Sequence, residues 1–513
     1  MTEQPTSPIS SELQELGSEG ARLSTRAKVF VRVVPSTVAG IGGVFVLAVI
    51  VRMLPVSLFP SIAFADEIFQ TLEQAHRLVF GYGSVPWEFQ YGARSWLLPG
   101  ILAGLMRIGA WIGNSPVYYL AVIHLVLAAL SAGACVCAYL WGRRFYGIWG
   151  GAIAAVLSIL WPDNVYFGAR TLFECVAAPL LVIAIYLVEP GYRVESKRRL
   201  AVAGALLGLA VAIRLQVAPA VAVILLWMAF DTPRQRLVPL VAGMAGVTLV
   251  AGGLDAVTWG YPFASMWRNF DYNLNYGVGE FFGTEPWYFY ARKLFYYWNV
   301  FAIVIPLLAL WGARRVPVIV LAAAAVLLAH SFVAHKEFRF IYPAILLLTI
   351  AAGVGMADLA TRILIMWRLR PAICAACFVL PTALLAALVA SSPRYQPQWQ
   401  SGRSVLEADQ FVSSLKSVCG LGAWMGYAGQ TYLHRDMPVY FTVHEDDILK
   451  YRPAFNTLIT ALTDPPRPAD FQTVACFNGV CVSQRTGPCA NISPEPMPAP
   501  LPIKAMDAST HRR

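Results

Sequence analysis

Charge is what this sequence has least of. Only 13% of its 513 residues are Asp, Glu, Lys or Arg, against 58% hydrophobic, and the mean hydropathy is +0.58. A soluble chain of this length could not bury so much apolar surface, which leaves a polytopic α-helical membrane protein. Several sequence signatures of chemistry are missing as well. There is no Gly-rich phosphate loop, no HExxH, no GxSxG and no dense metal-ligand spacing. No nucleotide fold, resident metal or other cofactor is therefore expected. Internal repeats, the mark of many transporters, are not evident either. The formal net charge of +10 is dispersed in short basic clusters between apolar runs. Such clusters are topology signals rather than a nucleic-acid footprint, so no nucleic-acid partner is expected.

What the chain does have is apolar segments of spanning length. They lie near 36–58, 115–141, 146–161, 176–189, 200–216, 218–230, 238–258, 294–312, 316–333, 341–357 and 371–391, about eleven spans if some tilt. Every second loop is basic: Arg22, Arg26, Lys28 and Arg32; Arg143 and Arg144; Arg193, Lys197, Arg198 and Arg199; Arg234 and Arg236; Arg314 and Arg315; Arg362, Arg368 and Arg370. By the positive-inside rule these loops are cytoplasmic. The external parts are then 61–114, 162–175, 259–293, 334–340 and the region from 392. The chain divides into three parts: a disordered cytoplasmic tail (1–30), a transmembrane module (31–391) and a small external C-terminal domain (392–513). The apolar stretch 97–112 would invert every later loop if it spanned, so it reads as a helix lying on or dipping into the outer leaflet, the alternative being a twelfth span with another short segment not spanning. Ala63-Phe64-Ala65 fits a signal-peptidase site, but the apolar run before it is long and reads as an uncleaved anchor.

The nine cysteines agree with this topology. Cys135, Cys137, Cys175, Cys374 and Cys377 lie in or beside apolar segments, whereas Cys419, Cys476, Cys481 and Cys489 lie in the polar C-terminal region. Those four allow three pairings, and disulfides there require an oxidising space.

Polar residues concentrate at the external face. Read as a helix, 66–80 places Asp66, Gln70, Glu73 and Arg77 on one side and Ile68, Leu72, Ala75 and Val79 on the other. This is an interfacial helix whose acidic side turns toward a wet cavity. Gly81, Gly83 and Pro86 end it, followed by Glu88 and Arg94. A second cluster, HKEFRF, packs His335, Lys336, Glu337 and Arg339 between two spans. Guanidinium and ammonium groups in such a loop suit phosphate oxygens; snorkelling to headgroups is the plainer alternative. Arg170 and Glu174 stand in ARTLFE, and Arg214 near the outer end of a span, where an ionisable group is a functional candidate. The aromatic loop 259–293 reads first as an interface belt, with a sugar-stacking wall as the alternative. An external acid beside external cations points to group transfer from a lipid phosphate in the membrane.

These residues carry a resemblance. The motifs ADEIFQTLEQAHRLVFGYGSVPWEF with ARS, ARTLFE and HKEFRFIYP resemble those of the GT-C integral-membrane glycosyltransferases, specifically glycosyltransferase family 22. That family comprises polyprenyl-phosphate-mannose-dependent alpha-mannosyltransferases of asparagine-glycan and GPI-anchor assembly, with bacterial relatives. Phe64-Ala65 stands where the family commonly has His-Pro. The resemblance implies a GT-C fold over the membrane module and a cavity open to the outer side. It implies a polyprenyl-phosphate sugar donor, mannose foremost, and a glycan or glycolipid acceptor. Asp66 would be the general base, Glu67 its helper; His335, Lys336, Arg339 and Arg214 would hold the donor phosphate; Glu73, Glu88, Arg94, Arg170, Glu174 and Glu337 would support them. A bacterial inner membrane, with the C-terminal domain periplasmic, is the implied setting. Transfer of arabinose, aminoarabinose or glucose, and transport of lipid-linked sugars, are the competing readings.

Overall fold

A computed structural model describes residues 37–189, 196–231, 233–424, 427–442, 444–461 and 467–503. The expected tail 1–30, Arg32 and Arg193 lie outside the described residues. Helices dominate up to residue 414, and a mixed sheet comes after them.

Among the described residues, five helices are long and apolar enough to cross a membrane: Thr37–Leu58, Pro116–Leu160, Gln235–Trp259, Phe338–Trp367 and Pro371–Ala390. A sixth appears if Phe289–Trp298 and Phe301–Gly312, bent by 105°, form one span. Length alone therefore does not reach eleven. Leu97–Ile112, Phe173–Val188 and Pro317–Phe332 are 16-residue helices, each rising about 24 Å, short of a hydrocarbon core of roughly 30 Å. The 45-residue helix Pro116–Leu160 is two arms of a hairpin. Gly147, at φ 76°, turns the chain, and Gly142 comes to rest against Ala154 and Gly150 beyond the turn. Its arms correspond to the apolar segments 115–141 and 146–161.

The helix continuing from Tyr342 to Trp367 is the centre of the bundle, buried along all of its first sixteen residues. It lacks charge there and carries small residues. Gly355 lets it approach the backbone of Leu308 and Gly312, the close packing that membrane helices use. Arg52 is buried in the first span, donating to Ser131 Oγ (2.7 Å), Cys135 Sγ (3.0 Å), Ser158 O (3.0 Å) and Ala48 O (3.3 Å). The carbonyl of Ser158 would ordinarily meet the amide of residue 162, which is proline. Arg52 supplies the donor that proline cannot.

In the C-terminal region, β1 (Leu421–Trp424), β2 (Val439–Phe441), β3 (Thr457–Thr460), β4 (Gln472–Phe477) and β5 (Val480–Gln484) form one sheet in the order β2-β1-β3-β5-β4. The β1 pairings are parallel, and β5 runs antiparallel to β3 and β4. Helix Arg403–Ser414 covers it through Ala408 and Val412, which pack with Leu421, Ile459 and Val482. Of the three possible pairings, the cysteines adopt Cys419–Cys489 and Cys476–Cys481, the second closing the β4–β5 hairpin.

Candidate active site

The loop after the first span is not one regular helix. Residues Ile68–Leu72 form a π-helical turn that runs into the α-helix Glu73–Phe80. A π turn accommodates an extra residue and rotates the helix beyond it. Asp66 and Glu73, grouped on one side by the α-helical period, therefore find separate partners. The polar side is also not solvated: Glu67, Gln70, Thr71, Glu73, Gln74 and His76 are all buried.

Asp66 is the acid that stays partly open, its side chain 31% exposed, and it is ion-paired to Nη2 of Arg339. The Arg339 guanidinium is buried. Its Nε and Nη2 donate to Glu337 Oε2 and Oε1 at 2.8 and 2.9 Å, and the group lies over the rings of Phe64 and Phe340 at 5.0 and 5.2 Å. His335 Nε2 meets Glu337 Oε1 at 3.3 Å, and its Nδ1 meets Gly283 O at 2.9 Å. Burial pushes the Glu337 carboxyl up, yet His335 and Arg339 outweigh it and hold it at about 2. The hydrogen bond that His335 gives to Glu337 in turn raises the imidazole. Arg214 shares the Phe340 ring with Arg339, at 5.1 Å, and pairs with Glu174 at 2.7 Å, both side chains buried.

Glu67 points elsewhere, its Oε1 3.4 Å from Arg170 Nη1. Arg170 also holds Ser61 through its backbone oxygen and its Oγ, and stacks over Tyr166 at 4.4 Å. Thr171 Oγ1 donates to the Glu67 carbonyl at 3.0 Å. The ARTLFE loop is thus the floor on which the Asp66 loop rests. One turn beyond Asp66, Gln70 Nε2 donates to Glu88 Oε1 at 2.7 Å. Burial first, then the charge of Asp66, push the Glu88 carboxyl up to about 7, with Arg94 and Gln70 acting against them. Arg94 lies over the ring of Phe173 at 5.5 Å.

Two residues sit apart from this group. Lys336 directs its ammonium at the carbonyls of Glu285 (2.7 Å), Val333 and Ala334, completing the C-terminal end of Pro317–Phe332 as cations there do. Glu73 binds Ser84, Gln430 and Thr431. Asp163 escaped the sequence reading. Its buried Oδ2 accepts from Trp298 Nε1 (2.7 Å) and Tyr395 Oη (2.8 Å), joining the turn Pro162–Phe167 to two distant segments. An acid inside WPDN, between apolar runs, was its only signal. Among the described residues no group of three or more His, Cys, Asp or Glu is placed to hold a metal ion.

The arrangement has a solved counterpart in fold. ArnT from Cupriavidus metallidurans, solved bound to undecaprenyl phosphate, matches with a TM-score of 0.60 over 88% of this chain and 98% of that one, at 13% identity. Its apo form matches at 0.58. The architecture is the GT-C fold of integral-membrane glycosyltransferases. The family is defined by sequence: the chain belongs to the Alg9-like mannosyltransferase family, whose profile matches residues 44–433. It is similar to GPI mannosyltransferase 3 of Yarrowia lipolytica, 29% identical over 399 residues that cover 75% of this chain and 73% of that protein. It is also similar to GPI alpha-1,2-mannosyltransferase 3 of Danio rerio, 28% identical over 365 residues covering 67% and 64%. The chain thus spans about two thirds to three quarters of these relatives. The matched region includes Asp66, HKEFRF and the segment 429–433.

Proposed function

We propose that the chain moves mannose from a polyprenyl-phosphate carrier to a hydroxyl of a lipid-linked glycan, at the external face of its membrane, with inversion at the anomeric carbon. The observation that carries this reading is the Asp66–Arg339 pair, an accessible carboxylate held by a buried cation. A base must reach the proton it removes, and a cation beside it stabilises charge developing on the phosphate. In the transfer, Asp66 takes the proton of the acceptor hydroxyl as its oxygen attacks the anomeric carbon. The bond from that carbon to the phosphate oxygen breaks, and its electron pair leaves with the polyprenyl phosphate. Arg339, with Arg214 behind the shared Phe340 ring, faces that negative charge. Glu337 and His335 keep the Arg339 fork oriented.

The carrier is supported by the undecaprenyl phosphate bound to the ArnT neighbour, and the acceptor class by the GPI mannosyltransferase relatives. The side is supported by the basic alternate loops and by the two disulfides of the C-terminal sheet region. The deciding experiment supplies purified protein in nanodiscs with polyprenyl-phosphate-[3H]mannose, and in parallel with the glucose and arabinose donors, against a membrane glycolipid extract. Label should pass from the mannose donor to a larger lipid. Transfer from another donor alone would replace mannose in this reading, and no transfer from any would reject it.

A further inference from the structure

The loop that carries Asp66 is fastened from the far end of the chain. Glu73, two turns beyond Asp66 and wholly buried, accepts four hydrogen bonds. Its Oε1 receives the amides of Ser84 (2.7 Å) and Gln430 (3.1 Å), and its Oε2 receives the amide (3.0 Å) and hydroxyl (2.9 Å) of Thr431. Four donors occupy the places two carboxylate oxygens offer. Burial pushes this carboxyl up, and the four donors act against that. Gly429 makes the approach possible. A side chain there would meet Glu73 Oε2 at 2.7 Å and Ile68 Cγ2 at 2.9 Å, and its φ of +89° is left-handed.

The contact extends to either side. Ile68 packs with Leu406 and Ala428, and the rings of Phe69 and Tyr427 lie 6.2 Å apart. His76 Nε2 meets His434 Nδ1 at 3.4 Å, Phe80 and Tyr119 pack on the His434 ring, and the Tyr119 hydroxyl donates to the Thr431 carbonyl. The Ala428 amide donates to buried Asp409 at 2.8 Å, tying the segment to helix Arg403–Ser414. None of these groups has a task in the transfer step.

We propose that Glu73 is a positioning residue. It locks the Asp66 loop to segment 429–434, so that the C-terminal region is a working part of the catalytic loop rather than a cap. This rests on the reading of Asp66 as the base. Released from the seat, the buried polar side of 67–76 would draw in water and shift Asp66 from Arg339. Displacements of about 1 Å at a reacting group cost on the order of a hundredfold in rate.

The test uses the full chain in nanodiscs. Glu73→Gln turns an amide NH2 toward N–H donors, whereas Thr431→Val removes one hydroxyl and leaves every backbone donor in place. Hydrogen exchange over 66–84 and 427–434 reads the lock, and kcat and KM for polyprenyl-phosphate-mannose read its consequence. Exchange should accelerate in both segments. The kcat should fall about tenfold or more in Glu73→Gln and less in Thr431→Val, with donor KM within about twofold because Arg339 keeps Glu337 and Arg214 keeps Glu174. Faster exchange at wild-type kcat would overturn the proposal. So would unchanged exchange, or a kcat loss that only tracks the fraction of folded protein. If Glu73→Gln does not fold, Thr431→Val decides by the same criteria. Failure of the base reading shows separately, as an Asp66→Asn variant that keeps its rate while the seat stays protected.

Discussion

Replacing Arg339 by alanine removes three N–H donors from two carboxylates and a cation from two aromatic faces. Breaking a buried pair by deleting one partner costs about 3–5 kcal/mol. Here Glu337 keeps only His335, but Asp66 is partly open to water, so the lower end, about 3 kcal/mol, is expected for stability. The loss in transfer is separate. A preorganised donor facing developing charge is worth roughly a hundred- to a thousandfold in kcat. Arg339→Lys keeps the charge, yet one ammonium cannot fork to both Glu337 oxygens and also reach Asp66. The rates should therefore rank wild type, then lysine, then alanine, with alanine down at least about a hundredfold. Single-turnover transfer from polyprenyl-phosphate-mannose measures the rate, and thermal unfolding in nanodiscs measures the stability. An alanine variant within about threefold of wild type would refute the assignment, because no arrangement that relies on this guanidinium for leaving-group stabilisation survives its removal so lightly.

The same geometry makes two further outcomes testable. Glu88 titrates at about 7 in the fold against an ordinary 4.5. As pH rises through that window the unfolded chain gives up its proton first, so stability should fall by roughly 3 kcal/mol between about pH 4.5 and 7. Glu88→Gln should flatten that slope, and an unchanged slope in melting curves at pH 5 and 8 would contradict it. In sealed right-side-out vesicles, a membrane-impermeant thiol reagent should label Cys476 and Cys481 after mild reduction. Labelling only after permeabilisation would place the C-terminal sheet on the other side.

The sequence reaches the site unevenly, for physical reasons. Local signals were strong where neighbours in sequence are partners in space. The crowding of cations and one acid in HKEFRF corresponds to the His335–Glu337–Arg339 network, and Arg170 and Glu174 each meet an opposite charge. The hairpin turn at Gly147 falls at the start of the second of two apolar segments separated by Arg143 and Arg144. The α-helical period failed at 68–72, because the π turn there is not encoded in a 3.6-residue rhythm. It also could not see that Glu73 would be covered by residues more than 350 positions away. Lys336 looked equivalent to Arg339 in sequence, but the carbonyls of Glu285, Val333 and Ala334 claim its ammonium. The choice among three disulfide pairings was settled by the sheet, whose β4–β5 register sets Cys476 opposite Cys481.

The central claim is that Asp66 removes the acceptor proton, and Asp66→Asn tests it most directly. Asparagine keeps the size of the side chain and a carbonyl oxygen for Arg339 but cannot accept that proton. The variant should bind polyprenyl-phosphate-mannose with affinity within a few-fold of wild type while transfer falls at least a hundredfold, the low end of what a positioned base contributes being about that factor. Transfer at a near-normal rate in a folded, donor-binding Asp66→Asn protein would contradict it.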